Sequence, residues 1–278
     1  MGKRFRLAVT AIDIPEGGDP VTVANCIAAI GEAGARGADL VLLPEEPDIK
    51  DGGAPGEYAL EEHPAFKAFR KQAVQSGVGV IGSLSVAVEE GGHANTAYVL
   101  ARNGDLLGLY RKKHPAPTEE DIVTTPVTGD PFPVFDYEGV KIGIAICMDI
   151  HFPEMFRIYG LKGADLVCLP TMYLYYTGDM LESIEKARAI DSQMYFALSR
   201  YITKPFLAGK NMGYAKVISP DGRIICSTAH KDGVAIAEFD PKWRMLFWGE
   251  GYEGNMRYMF DVVRRPDLYG DLVKPRKK

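Results

Sequence analysis

Cys147 closes the apolar run Val140-Lys-Ile-Gly-Ile-Ala-Ile-Cys147, and Met148-Asp-Ile-His-Phe-Pro153-Glu154 follows as the entry to a helix, with Pro in its first turn. A cysteine at a strand-to-helix turn stands above the sheet edge with backbone N–H groups aimed at it, which suits a nucleophile. A thiol of pKa about 8.5 is mostly un-ionised at neutral pH, so attack on a carbon needs a base or a neighbouring cation. Two residues are placed to serve. Glu45, in Leu42-Leu43-Pro44-Glu45-Glu46, directly follows an apolar strand, where a carboxylate is costly unless paired or working. Lys112, in Tyr110-Arg111-Lys112-Lys113-His114-Pro115, ends a hairpin strand whose alternation sets it on the opposite face from Arg111 and Lys113. Taken singly, each has a plainer reading: a buried structural thiol, a solvated loop acid, a basic strand edge. His114 and His151 are rival bases, although His151 is four residues from Cys147 and has no evident orienting acid.

The elements that must position these groups read as alternating strands and helices. Phe5–Ile12 is a strand, a helix opens at Asp19-Pro20 and runs to about Gly37, and a second strand covers Ala38–Leu43. Pro64–Gln75 has helical spacing, and the Val- and Ile-rich run Val78–Val88 follows it. This βαβαβ order favours a parallel sheet with helices on a face. Asn103-Gly104 and Pro220-Asp221-Gly222 mark two hairpins, between Asn95–Ala101 and Leu106–Lys112 and between Tyr214–Ile218 and Arg223–Ser227. The stretch from Gly34 to Glu45 repeats from Gly160 to Thr171, with eight of twelve positions identical. In both copies a helix ends at glycine and an apolar strand stops at proline, delivering Glu45 or Thr171 to a strand's carboxyl edge, where α/β sheets hold ligands. The chain therefore reads as two α/β halves packed as one domain with a pseudo-twofold relation.

Composition bounds the partners. The 278 residues are 46% hydrophobic and 25% charged, ordinary for a globular protein. A balance of 32 Lys+Arg against 37 Asp+Glu, net −5, argues against nucleic acid as a partner. Cys26, Cys147, Cys168 and Cys226 form no CxxC pair, and the five histidines show no HExxH spacing, so neither a disulfide framework nor a zinc site is indicated. The N-terminal apolar run meets Asp13 before a signal core forms, and no stretch spans a bilayer, so a soluble cytoplasmic protein with no membrane partner is expected.

Together these segments resemble the carbon–nitrogen hydrolase (nitrilase) superfamily and its Glu-Lys-Cys triad. Leu-Pro-Glu45 resembles the glutamate motif, Tyr-Arg-Lys112-Lys-His the lysine motif, and Gly-Ile-Ala-Ile-Cys147-Met-Asp-Ile-His-Phe-Pro-Glu the cysteine motif, in family order. Asn95-Thr-Ala-Tyr98, Ala187-Arg-Ala-Ile190, Pro220-Asp-Gly222 and Arg265-Pro-Asp-Leu-Tyr269 extend the likeness over nearly the whole chain. The resemblance implies an α/β four-layer αββα sandwich over residues 1–260, with a C-terminal arm at 261–278 that contacts a second copy in a homodimer. It implies hydrolysis of a non-peptide C–N bond through a Cys147 thioester with Glu45 as base, Lys112 and the Met148 backbone N–H holding the oxyanion, and no metal or cofactor. A further accessory glutamate is expected at Glu120, with Glu119 beside it as the alternative. The C-M-D at the nucleophile favours a small amide or carbamoyl substrate over a nitrile, and Ile150 stands where N-carbamoyl amino acid hydrolases carry an Arg. His151, Thr171 and Tyr173 are expected to line the substrate pocket, and Tyr175 and Tyr176 lie close by in sequence. The rival of another class is a non-catalytic scaffold that binds a small ligand.

Overall fold

The computed structural model describes residues 4–13, 21–117, 119, 122–127, 129–172, 178–202, 214–229, 231–246 and 254–274. Twelve strands follow the chain: β1 (Phe5–Asp13), β2 (Leu40–Leu42), β3 (Gly79–Ala87), β4 (His93–Leu100), β5 (Leu106–Arg111), β6 (Val134–Tyr137), β7 (Val140–Ile144), β8 (Leu166–Pro170), β9 (Tyr195–Ile202), β10 (Lys216–Ile218), β11 (Ile224–Ser227) and β12 (Gly233–Phe239). They divide into two groups of the same order, β12-β1-β2-β3-β4-β5 and β6-β7-β8-β9-β10-β11. In each group the second to fourth strands are parallel and every other pairing is antiparallel. A short parallel seam joins the groups where Ala11, Ile12 and Asp13 meet Arg200, Tyr201 and Ile202. These are the two α/β halves expected from the repeat, in the mixed α/β sandwich that the resemblance implies.

Helices α1 (Thr22–Ala35) and α3 (Pro64–Ser76), with the single turn α2 (Pro47–Lys50) between them in the chain, lie on one side of the first sheet, where Cys26, Ile30, Phe66 and Phe69 pack on Ala8, Val41, Leu43 and Val80. On its other face Leu7, Val9, Leu40 and Leu42 share a buried cluster with Leu166, Val167, Cys168 and Ala197 of the second sheet, and α4 (Pro153–Leu161) and α5 (Gly178–Ser192) close the stack. The expected opening of α1 at Asp19-Pro20 lies outside the described residues; the N–H groups of Thr22 and Val23 are held instead by the Asp51 carboxylate at 2.7 and 2.9 Å. That carboxylate satisfies two of the orphan donors at a helix start and favours the positive end of its dipole.

The repeat is structural as well as textual. Asp39 accepts from the Arg6 N–H at 2.9 Å on β1, and Asp165 accepts from the Lys141 N–H at 2.9 Å on β7. Gly37 and Gly163 turn the chain at φ 73° and 82°, a left-handed conformation costly for any residue with a Cβ. Beyond each such turn a buried strand leads to proline, Pro44 or Pro170, and hands the next residue to the same rim.

Candidate active site

Glu45 follows β2 and is almost wholly buried. Its Oε1 accepts from Asn95 Nδ2 of β4 at 2.8 Å and from Lys112 Nζ at 3.0 Å, while its Oε2 has no hydrogen-bond partner among the described residues. A buried carboxylate with one oxygen engaged and the other open is equipped to take a proton. Tyr201 of β9 donates to the Glu45 carbonyl at 2.7 Å, so the second sheet holds the backbone that carries the first sheet's acid. Lys112 follows β5 and is tied in by its own N–H, which donates to the Asn95 carbonyl at 3.0 Å. Its side chain is fully buried and its ammonium also donates to both oxygens of Glu119, at 3.0 and 2.8 Å. Burial alone would lower its pKa, but Glu45, the Cys147 thiol and Glu119 outweigh that and hold the ammonium charged. The cation that Glu45 and Glu119 face is therefore supplied by the chain itself.

Of the two expected accessory glutamates, Glu120 lies outside the described residues, and it is Glu119 that meets Lys112. Its Oε2 also accepts from the Ala116 N–H at 2.6 Å, so the turn after the lysine strand holds the Glu119 carboxylate toward Lys112.

Cys147 begins the turn after β7 with φ 46°, a left-handed conformation that costs a non-glycine residue of order 1–3 kcal/mol. The strain is sustained by Asp149, wholly buried, which accepts from the Ile146 N–H at 2.8 Å, the His114 N–H at 3.1 Å and the Tyr110 hydroxyl at 2.7 Å. The His114 ring is fixed in turn, with Nδ1 2.7 Å from Asp149 Oδ1 and its plane stacked on Phe152 at 3.6 Å between centroids. Burial, then the Glu45 charge, push the Cys147 thiol above its ordinary pKa; the Lys112 charge and hydrogen bonds from the Met172 backbone and the Thr171 side chain oppose this without reversing it. Glu45 and Lys112 both act electrostatically on the sulfur, so the three groups remote in sequence share one site. The thiol rests protonated and must lose its proton during attack.

Residues 6–244 match the family model for carbon-nitrogen hydrolases. The chain belongs to the carbon-nitrogen hydrolase family. It is 29% identical over 280 residues to an omega-amidase NIT2 of Danio rerio, covering 96% of each chain, and 31% identical over 252 residues to omega-amidase NIT2-A of Xenopus laevis, covering 86% of this chain and 88% of that one. Among solved structures it resembles an amidase from Nesterenkonia sp., with TM-score 0.71 and 24% identity over 87% of this chain and 92% of that one. A cysteine-to-alanine mutant of a nitrilase-superfamily amidase from Nesterenkonia AN1 aligns at TM-score 0.75 and 23% identity over 98% of both chains, which gives the fold as the αββα sandwich. The molecule is thus an enzyme that hydrolyses carbon–nitrogen bonds.

In this carbon-nitrogen hydrolase Thr171, expected as a substrate contact, lies on the thiol itself, and Tyr173 lies outside the described residues. His151 sits half-buried, with burial and then Arg188 lowering its pKa, and Met148 follows Cys147 in the same turn. Sequence reasoning assigned no role to Asn95, Tyr110, Asp149 or Tyr201. For Asn95 and Asp149 a signal was present: a polar side chain inside an apolar strand, and an acid two residues after the nucleophile in a turn that needs its amides capped.

Proposed function

We propose that the enzyme hydrolyses a small amide or carbamoyl compound through a thioester on Cys147, with Glu45 as base and Lys112 as the oxyanion's cation. Glu45 Oε2 takes the thiol proton as sulfur attacks the amide carbon; Lys112 and the Met148 N–H receive the negative oxygen; Glu45 returns the proton to the departing amine. Glu45 then deprotonates water, which displaces the thiolate and releases the acid. The observation that carries this is the buried Glu45–Lys112 pair with one Glu45 oxygen left open. The omega-amidase and amidase names of the relatives support an amide over a nitrile.

The test is intact mass and ammonia release with a panel of amides, N-carbamoyl amines and nitriles. An acyl adduct on the wild type that is missing in Cys147→Ala is expected; ammonia release without dependence on Cys147 sinks the reading. The histidine rival is tested beside it. Lys112→Ala is expected to abolish acylation, whereas His114→Ala and His151→Ala retain it; the reverse pattern makes histidine the base.

A homodimer in the cytoplasm completes the proposal. The segment after α6 (Met256–Val262) exposes Val263, Leu268, Leu272 and Val273 beside a cavity of about 860 Å³ against α4 and α5. Among the described residues no helix is long and apolar enough to cross a membrane. Light scattering showing a monomer at micromolar concentration contradicts the dimer.

A further inference from the structure

Asn95 lies in β4, wholly buried, between Ser85 of β3 and the strand that carries Lys112. Its side-chain amide donates from Nδ2 to Glu45 Oε1 at 2.8 Å, and its main-chain carbonyl accepts from the Lys112 N–H at 3.0 Å. Lys112 Nζ closes the circuit by donating to the same Glu45 oxygen at 3.0 Å. The other end of the amide, Oδ1, is buried with no hydrogen-bond partner among the described residues. A buried amide with one end unpaired costs stability that an apolar side chain of the same size would not. The residues that follow it on the same face of β4, Ala97 and Val99, are apolar members of the core, so the amide is out of keeping with its strand except where it meets Glu45.

We propose that Asn95 is a positioning residue for the reaction: with Lys112 it fills both acceptor sites of Glu45 Oε1, so that a proton taken from the thiol settles only on Oε2. The inference rests on the reading of Glu45 as the base. Each carboxylate oxygen offers two lone-pair sites. Oε1 uses one for the ammonium and one for the amide, whereas Oε2 has no partner among the described residues. Lys112 alone would leave Oε1 half open, and a proton captured there is lost to the step in which Glu45 returns it to the departing amine. The amide adds a donor without adding a charge, so the base keeps the Lys112 ammonium as its counter-ion. The titratable groups around Glu45 are Lys112 and Glu119 beyond β5, Glu46 and Lys50 beyond β2, Cys147 beyond β7 and Tyr201 of β9. Asn95→Leu replaces none of them.

The experiment compares wild type with Asn95→Leu, which matches the amide in size and keeps the main-chain bond to Lys112. Propionamide and succinamate are the probes, with ammonia release, the mass of the Cys147 adduct and the pH profile as readouts. Asn95→Leu is expected to lower kcat about 10- to 100-fold, the weight of one hydrogen bond to a charged group, with KM within about twofold of wild type. The acid-side fall of kcat/KM should move to higher pH by about one unit, because the ionised carboxylate has lost a donor. A merely structural role lowers the amount of active enzyme and leaves that profile where it was. Raised KM with kcat kept, a lower kcat with an unmoved profile, or wild-type activity overturns the proposal. Should Asn95→Leu fail to fold by circular dichroism, neutron diffraction of the wild type decides. Deuterons of Asn95 and Lys112 both directed at Oε1 are expected; an Asn95 oxygen facing Oε1, or a deuteron bound to Oε1, overturns it. An adduct that forms equally fast in wild type and Asn95→Leu defeats the role of Asn95 and leaves the amide reading standing. Neither ammonia nor adduct from either probe with wild type overturns both.

Discussion

The two halves use one scaffold to deliver different chemistry to the same rim. In the first, β2 leads to Pro44 and the next side chain, Glu45, is the proposed base; in the second, β8 ends at Pro170 and the next side chain, Thr171, is a hydroxyl that hydrogen-bonds the thiol. The supports also match in kind but not in depth. Asp165 is paired with Arg244 at 2.7 Å, both nearly buried, whereas Asp39 meets the more exposed Arg102 at 3.1 Å. A duplicated frame fixes where a functional atom stands, and the residue after the proline decides what it does there.

Exchanging the delivered groups should break the comparison most sharply. Glu45→Gln is expected to lower kcat by about 10²–10⁴, the usual contribution of a general base, whereas Thr171→Val costs roughly tenfold or less, the scale of one neutral hydrogen bond. Equal losses in steady-state kinetics contradict the assignment of base and thiol partner. The same variant tests the electrostatics with the opposite sign. The Glu45 charge helps to raise the thiol pKa, so removing it stabilises the thiolate. Alkylation of Cys147 by iodoacetamide at a fixed alkaline pH should be faster in Glu45→Gln than in wild type even as turnover falls; slower alkylation refutes this.

The supports come next in size. Asp165→Ala strands a buried Arg244 and is expected to cost about 3 kcal/mol or more, while Asp39→Ala costs about 1 kcal/mol, since Arg102 is partly solvated. Denaturant midpoints in the reverse order contradict that ranking. A pair of helix contacts follows. A Cβ at Gly34 would stand 2.5 Å from the Ser76 carbonyl oxygen, against 3.2 Å from the Ser192 Cβ at the equivalent Gly160. Gly34→Ala should therefore cost about 1–3 kcal/mol and Gly160→Ala less than about 1 kcal/mol, read as shifts in melting temperature.

What the sequence disclosed was local. The repeat, the parallel βαβαβ order, the two hairpins and the turn at Cys147 each rest on short-range signals, and each is present in the structure. The candidate triad was legible because each member sits within three residues of a strand's carboxyl end. Less visible was whatever depends on tertiary pairing. β12 owes its pairing to distant β1 and is only half-buried, so its pattern is faint, and the seam of β9 with β1 joins residues far apart in the chain. The bonds of Asn95 and Tyr201 to Glu45 span 50 and 156 residues and cannot be read from spacing. The inward glutamate was ambiguous because neighbouring residues differ only in the turn that presents them, here the Ala116 N–H held by Glu119.

The first sheet is closed by strand β12, which lies against β1 from Phe5↔Phe239 to Ala11↔Gly233. During synthesis β1 therefore waits with one edge bare until β12 has been made. A ribosome that stalls or a message that terminates before Phe239 releases a product with an unpaired apolar border, suited to sticking to its own kind. A chain that carries β12 covers that border as it folds.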